Sequence, residues 1–141
     1  MSTFVLESIR ILLAGIFLVS GAGKLVSADG LANLIEQFVG FGAQTSNVIS
    51  IAVALVEVAC GGMLLFKVNT NAVSLLLLGL TGLFTVGQVL ILQTSQEIDC
   101  GCFGSLLPEN IGLTTIARNI LIMICAWLIS TRDVDSKGTR F

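Results

Sequence analysis

Four apolar stretches, each about the length a helix needs to cross a bilayer, decide what this chain can fold into. They are residues 9–26 (IRILLAGIFLVSGAGKLV), 48–66 (VISIAVALVEVACGGMLLF), 72–92 (AVSLLLLGLTGLFTVGQVLIL) and 111–129 (IGLTTIARNILIMICAWLI). An unpaired backbone amide in hydrocarbon costs several kcal/mol, so only helices and closed barrels cross a membrane. None of the four stretches alternates with the period of two that a barrel strand requires. Only 11% of the 141 residues are charged, against about 25% in an average soluble domain. The expected fold is therefore all-α: an integral membrane four-helix bundle in a single domain over 1–141, with the lipid bilayer as its first partner. A net charge of −2 offers no basic field, which excludes nucleic acid. Histidine is absent, which removes histidine triads, histidine metal sites and histidine proton switches. The first stretch reads as a membrane helix rather than a cleavable signal peptide, because three further spans follow it.

The basic residues orient the bundle. Arg10, Lys67, Arg132, Lys137 and Arg140 all fall on one side of a four-span topology. The connections 27–47 and 93–110 contain no Lys or Arg and carry Asp29, Glu36, Glu97, Asp99 and Glu109. In a bacterial inner membrane this predicts cytoplasmic N- and C-termini and periplasmic longer loops. Within the first of those loops, Leu31, Leu34, Ile35 and Phe38 recur at i, i+3, i+4 and i+7, with Asn33, Glu36 and Gln37 facing away. This is an amphipathic interfacial helix between the first two spans.

Sulfur is the reactive chemistry left. The third loop carries Asp99-Cys100-Gly101-Cys102-Phe103-Gly104. Glycine between the two cysteines lets the chain fold tightly enough for the sulfurs to meet. A small strained disulfide ring is more readily reduced, which suits exchange better than a permanent staple. The oxidising side of the membrane is where disulfides persist. A metal is not expected: zinc and iron–sulfur sites need more ligands than this loop supplies, and Cu(I) lacks a neighbouring Met or His. A purely structural disulfide is the competing reading.

Ionisable residues inside spans are costly and usually face the bundle interior. Counting 1.5 Å per residue from the loop side, Glu57 lies about 13 Å and Arg118 about 10 Å deep, so a Glu57–Arg118 ion pair is expected. Lys24, near the end of its span, would snorkel to the surface, and Gln88 would add an amide. Together Lys24, Glu57, Gln88 and Arg118 form a candidate polar pocket, either activating the loop thiols or fixing helix register. Cys60 and Cys125, past the bilayer middle, read as packing residues, with a second thiol pair as the alternative. Gly15, Gly21, Gly23, Gly61, Gly62, Gly79, Gly82 and Gly87 are expected to permit close helix approach.

Several of these features converge on a known plan. The four spans, the Gly21-Ala22-Gly23-Lys24-Leu25 end of the first span and the surface helix after it resemble the DoxX-like superfamily. Glu57 and the Asp99–Gly104 run resemble its MauE branch, the methylamine-utilisation membrane proteins. That resemblance implies a role beside a periplasmic thioredoxin-fold partner in maturing disulfide-containing periplasmic client proteins. In that branch the client is the disulfide-rich small subunit of methylamine dehydrogenase. The plan is more distantly similar to vitamin K epoxide reductase, whose Cys-x-x-Cys in the last helix is missing here. The leading expectation is a thiol–disulfide oxidoreductase with Cys100 and Cys102 as catalytic residues, passing electrons between the partner and a quinone or another thiol carrier. The alternatives are a non-enzymatic assembly factor or accessory subunit with a structural disulfide, and a subunit that binds a quinone or a sulfur compound.

Overall fold

The computed structural model describes residues 3–93 and 112–138. Among these residues there are five helices and no strand: α1 (Thr3–Val26), α2 (Asp29–Val39), α3 (Ala43–Leu65), α4 (Thr70–Gln93) and α5 (Leu113–Gly138). All but α2 are long and apolar enough to cross a membrane. This is the all-α, four-span plan with a short helix between the first two spans. The helices outrun the apolar stretches that announce them. α3 starts at Ala43 rather than 48, and α5 continues past 129 to Gly138. Hydropathy marks only what lipid demands, whereas a helix continues for as long as its backbone groups stay paired.

Local chemistry ends the helices. α2 stops at Gly40, which takes φ 71° and donates its N–H to the Glu36 carbonyl at 3.0 Å. A residue without Cβ enters this left-handed region at no steric cost. α3 ends in a Schellman motif: Val68 N–H reaches the Met63 carbonyl at 2.9 Å and Lys67 N–H the Leu64 carbonyl at 3.3 Å. Lys67 occupies the left-handed position at φ 58°. Arg10, on α1, donates to the Leu64 carbonyl and, at 3.0 Å, to that of Leu65. These are carbonyls that the end of a helix leaves unsatisfied. Glu7 accepts from Arg10 at 2.5 Å and from Lys67 at 2.7 Å. At the same end of the bundle, Ser130 of α5 donates to Asn71 of α4 at 2.6 Å. Arg10 and Lys67, placed on one side of the topology by sequence, thus meet around one carboxylate.

The spans associate as two antiparallel pairs, α1 with α3 and α4 with α5, and α2 lies against α3. Small residues let α1 and α3 approach. A Cβ built on Gly21 would stand 2.8 Å from the Ala54 carbonyl oxygen, and one on Gly61 would stand 3.1 Å from that of Ala14. Five of the other glycines expected at close contacts behave differently: Gly15, Gly62 and Gly79 face open space, and Gly82 and Gly87 make ordinary contacts. Spacing alone does not separate a glycine at a crossing from one facing lipid. In α2, Leu31, Ala32 and Leu34 are buried while Asn33, Glu36 and Gln37 are exposed, as the amphipathic stripe requires. The Phe38 side chain lies outside the described residues. Leu34 reaches the surface of α4 at Gly87, so α2 extends over the bundle end opposite Arg10.

The interior divides along its length. Leu13, Ala14 and Phe17 of α1, Cys60 and Leu64 of α3, Val73 and Leu77 of α4, and Ile122, Ala126 and Ile129 of α5 form one apolar cluster. It occupies the part of the bundle nearer Arg10. Beyond Phe17 the inward positions become polar: Ser20, Lys24, Glu57, Thr81, Gln88, Thr115 and Asn119 are all buried. Large apolar side chains cover much of the outside, among them Leu12, Leu55, Leu83, Leu121 and Trp127.

Candidate functional site

The polar half of the interior is built around a buried ion pair. Lys24 Nζ lies 2.8 Å from Glu57 Oε2 and 3.0 Å from Oε1, and donates to Ser20 Oγ at 2.7 Å. Ser20 in turn donates to Glu57 Oε2 at 2.9 Å. An ammonium has three protons to give, and here three oxygens receive them. Lys24 and Glu57 are only 2% and 3% exposed. The Lys24 ammonium also stands 5.7 Å from the centre of the Phe84 ring, within the range of a cation–π attraction.

Glu57 is therefore paired with Lys24, not with Arg118 as expected from matched depths, and Lys24 does not snorkel. The reason is side-chain direction. On a helix every Cα–Cβ bond tilts toward the N-terminus, so a lysine close to the C-terminal end of α1 points back into the bundle. Its four-carbon stem carries the charge one turn inward, to Ser20. A residue count along the axis measures backbone depth and misses this reach.

A second connection lies opposite. Asn119 of α5 donates through Nδ2 to Gln88 Oε1 of α4 at 2.9 Å. Between the two groups lies a cavity of about 40 Å³ lined by Ser20, Lys24, Glu57, Thr81, Phe84, Arg118 and Asn119, with Ile16, Phe17 and Ile122 as its apolar wall. The structure thus gathers Lys24, Glu57 and Arg118 at one cavity and joins Gln88 to it through Asn119. Ser20, Thr81, Phe84 and Asn119 were not singled out from the sequence. A signal for some of them was present: Ser20 and Lys24 are four residues apart on α1, and Ser74, Thr81 and Gln88 recur every seven on α4.

Cys60 is buried and Cys125 half-buried, and both are free thiols. Cys60 belongs to the apolar cluster and Cys125 packs against it, on the far side of Glu57 from the cavity. Cys100 and Cys102 lie outside the described residues. Among the described residues no group of three or more Cys, Asp or Glu is placed to hold a metal. The cavity has the volume of one or two waters, well below the roughly 300 Å³ of the smaller ligand clefts.

These features define a multi-pass helical membrane protein with an ion-paired, hydrogen-bonded cluster buried between its spans. The family model of methylamine utilisation protein MauE matches residues 2–131, and the chain belongs to the MauE family. It is similar to the methylamine utilization protein MauE of Paracoccus denitrificans. The two are 24% identical over 128 residues, which cover 90% of this chain and 69% of that protein. No solved structure gives a significant match.

Proposed function

We propose that this protein is a membrane-embedded thiol–disulfide relay in which Cys100 and Cys102 exchange with a periplasmic thioredoxin-fold partner. Its role would be the maturation of disulfide-containing client proteins in methylamine utilisation, the process named for its Paracoccus relative. The observation that carries the reading is the Cys-Gly-Cys run in the connection that leaves α4 just beyond Gln88 and enters α5 just before Arg118. That connection departs from the same end of the bundle as the polar cavity. One loop thiolate attacks a partner disulfide sulfur, forms a mixed disulfide and releases the partner's second thiolate. The other loop thiolate then attacks the mixed disulfide, closing Cys100–Cys102 and freeing the reduced partner. The reverse sequence runs the relay in the opposite direction. In this reading the termini are cytoplasmic, the membrane is the bacterial inner membrane, and electrons pass between the partner and a membrane quinone or another thiol carrier.

Gel-shift alkylation in cells tests the relay. The expected result is a loop pair whose redox state changes when the thioredoxin-fold partner is deleted. A pair locked in one state with or without the partner refutes it. The mutual hydrogen bonds of Lys24, Ser20 and Glu57 favour a second reading, in which the polar cluster only holds the bundle together and the protein is an assembly factor. Full client maturation after Cys100→Ser and Cys102→Ser would select that reading.

A further inference from the structure

The cavity between the two helix pairs holds polar groups that no side chain satisfies. Thr81 is buried and lines the cavity, and among the described residues no hydrogen bond from its hydroxyl is seen. Its Oγ1 can both give and accept. Asn119 spends one amide proton on Gln88 and keeps a second proton and its Oδ1. Glu57 uses two acceptor positions on Oε2, for Lys24 and Ser20, and one on Oε1, for Lys24. Of the roughly four lone-pair sites on a carboxylate, one on Oε1 remains. Leaving buried groups of this kind unpaired is unfavourable.

The charges on the wall limit what can occupy the space. An anion would meet the Glu57 carboxylate, and a cation would meet Lys24 and Arg118. An apolar molecule would leave Thr81 and Asn119 unsatisfied. A water matches the set chemically: it can donate to the Glu57 carboxylate and to the Asn119 amide oxygen and accept from the Thr81 hydroxyl, all three side chains lining the cavity. A buried water typically makes about three such bonds, and the cavity volume of about 40 Å³ accommodates it.

We propose that the cavity is a hydration site, and that its water makes Glu57 a proton-exchanging group inside the membrane. The charged groups facing Glu57 are Lys24 from α1 and Arg118 from α5, while α4 presents Thr81 and Phe84, which do not titrate near neutrality. The nearest titratable group on its own helix is Cys60, one turn along and turned into the apolar cluster. The water connects the Lys24–Ser20–Glu57 group of the first helix pair with the Asn119–Gln88 group of the second. Gln88 and Asn119 lie near the helix ends that bound the connection 94–111. A proton on Glu57 therefore exchanges toward that end of the bundle, and the apolar cluster blocks the other.

Solid-state NMR on the full chain in lipid bilayers tests both parts. Polarisation transfer from water should reach the Glu57 carboxyl carbon and the Thr81 side chain but not Cys60. Thr81→Val, which keeps the shape and removes the hydroxyl, should abolish the transfer to Glu57, and Thr81→Ser should restore it. No transfer to Glu57 in the unaltered protein means a dry cavity and overturns the proposal, as does transfer that Thr81→Val leaves unchanged. The Glu57 carboxyl shift should also respond reversibly to the pH of the bathing solution. A shift that ignores pH across the range in which the bundle stays folded overturns the proton exchange. None of these readouts involves Cys100 or Cys102, so they stand or fall separately from the relay.

Discussion

The buried pair of Lys24 and Glu57 makes a sharp prediction about coupling. At 2.8 Å and an effective dielectric of about 20, the attraction is about 6 kcal/mol. Desolvation of both ions offsets much of it, so the pair adds little net stability over an apolar replacement. The asymmetry appears when one partner is removed. Lys24→Met leaves the Glu57 carboxylate buried without its ammonium partner, keeping the Ser20 hydroxyl as a donor, and Glu57→Leu leaves a buried ammonium without its carboxylate. Each single change should destabilise the bundle by about 3–5 kcal/mol, the range for breaking a buried pair. The double variant, which buries no charge at this position, should recover most of that loss. Reversible unfolding in mixed detergent micelles measures all four corners of the cycle. If the double variant falls by the sum of the two single losses, the side chains are not coupled. The pairing that organises the site would then be wrong.

Three further predictions rest on separate contacts. Gly21→Ala would press a methyl against the Ala54 carbonyl and should cost about 1–3 kcal/mol, whereas Gly62→Ala enters open space and should be neutral or stabilise by up to about 1 kcal/mol. The same unfolding assay ranks the two, and equal effects would contradict the crossing geometry. Arg10→Leu removes the guanidinium from the Leu64 and Leu65 carbonyls, leaving Leu64 its longer bond from the Lys67 N–H, and should lower stability by about 1–3 kcal/mol. Lys67→Ala, which breaks only an exposed pair with Glu7, should cost less than about 1 kcal/mol. Replacing Cys60 and Cys125 together by Ala should leave the alkylation pattern of the loop pair unchanged, because both side chains lie in or against the apolar cluster. A changed pattern would make them participants in the relay.

The residue order carries a great deal of this molecule. Ile9 to Val26 and Ala72 to Leu92 are apolar whichever way they turn, and lipid leaves such a segment only helix or barrel. The stripe of Leu31, Leu34 and Ile35 sets the buried side of α2 because the helical period is geometric. Glu57 and Arg118 are legible as interior residues because their exposure to hydrocarbon is so unfavourable. The family resemblance was legible on the same residues.

Partner choice was not legible. Lys24 sits near a helix end, where a lysine on an isolated helix would turn to water, and only the antiparallel approach of α3 offers it a carboxylate instead. That approach depends on Gly21 and Gly61, which are no different in sequence from Gly62 or Gly79 facing open space. Ser20, Thr81 and Asn119 are ordinary polar residues until two helix pairs close around them. Sequence by itself therefore determined how many times the chain crosses the membrane, which residues must avoid lipid and where the Cys-Gly-Cys run lies. Each of these follows from the transfer energy or chemistry of single residues. Only the tertiary structure decided that Glu57 belongs to Lys24, that Arg118 and Asn119 share its cavity, and which glycines matter. Those outcomes depend on distances between segments, which fall off within a few ångströms and are not encoded in any one of them.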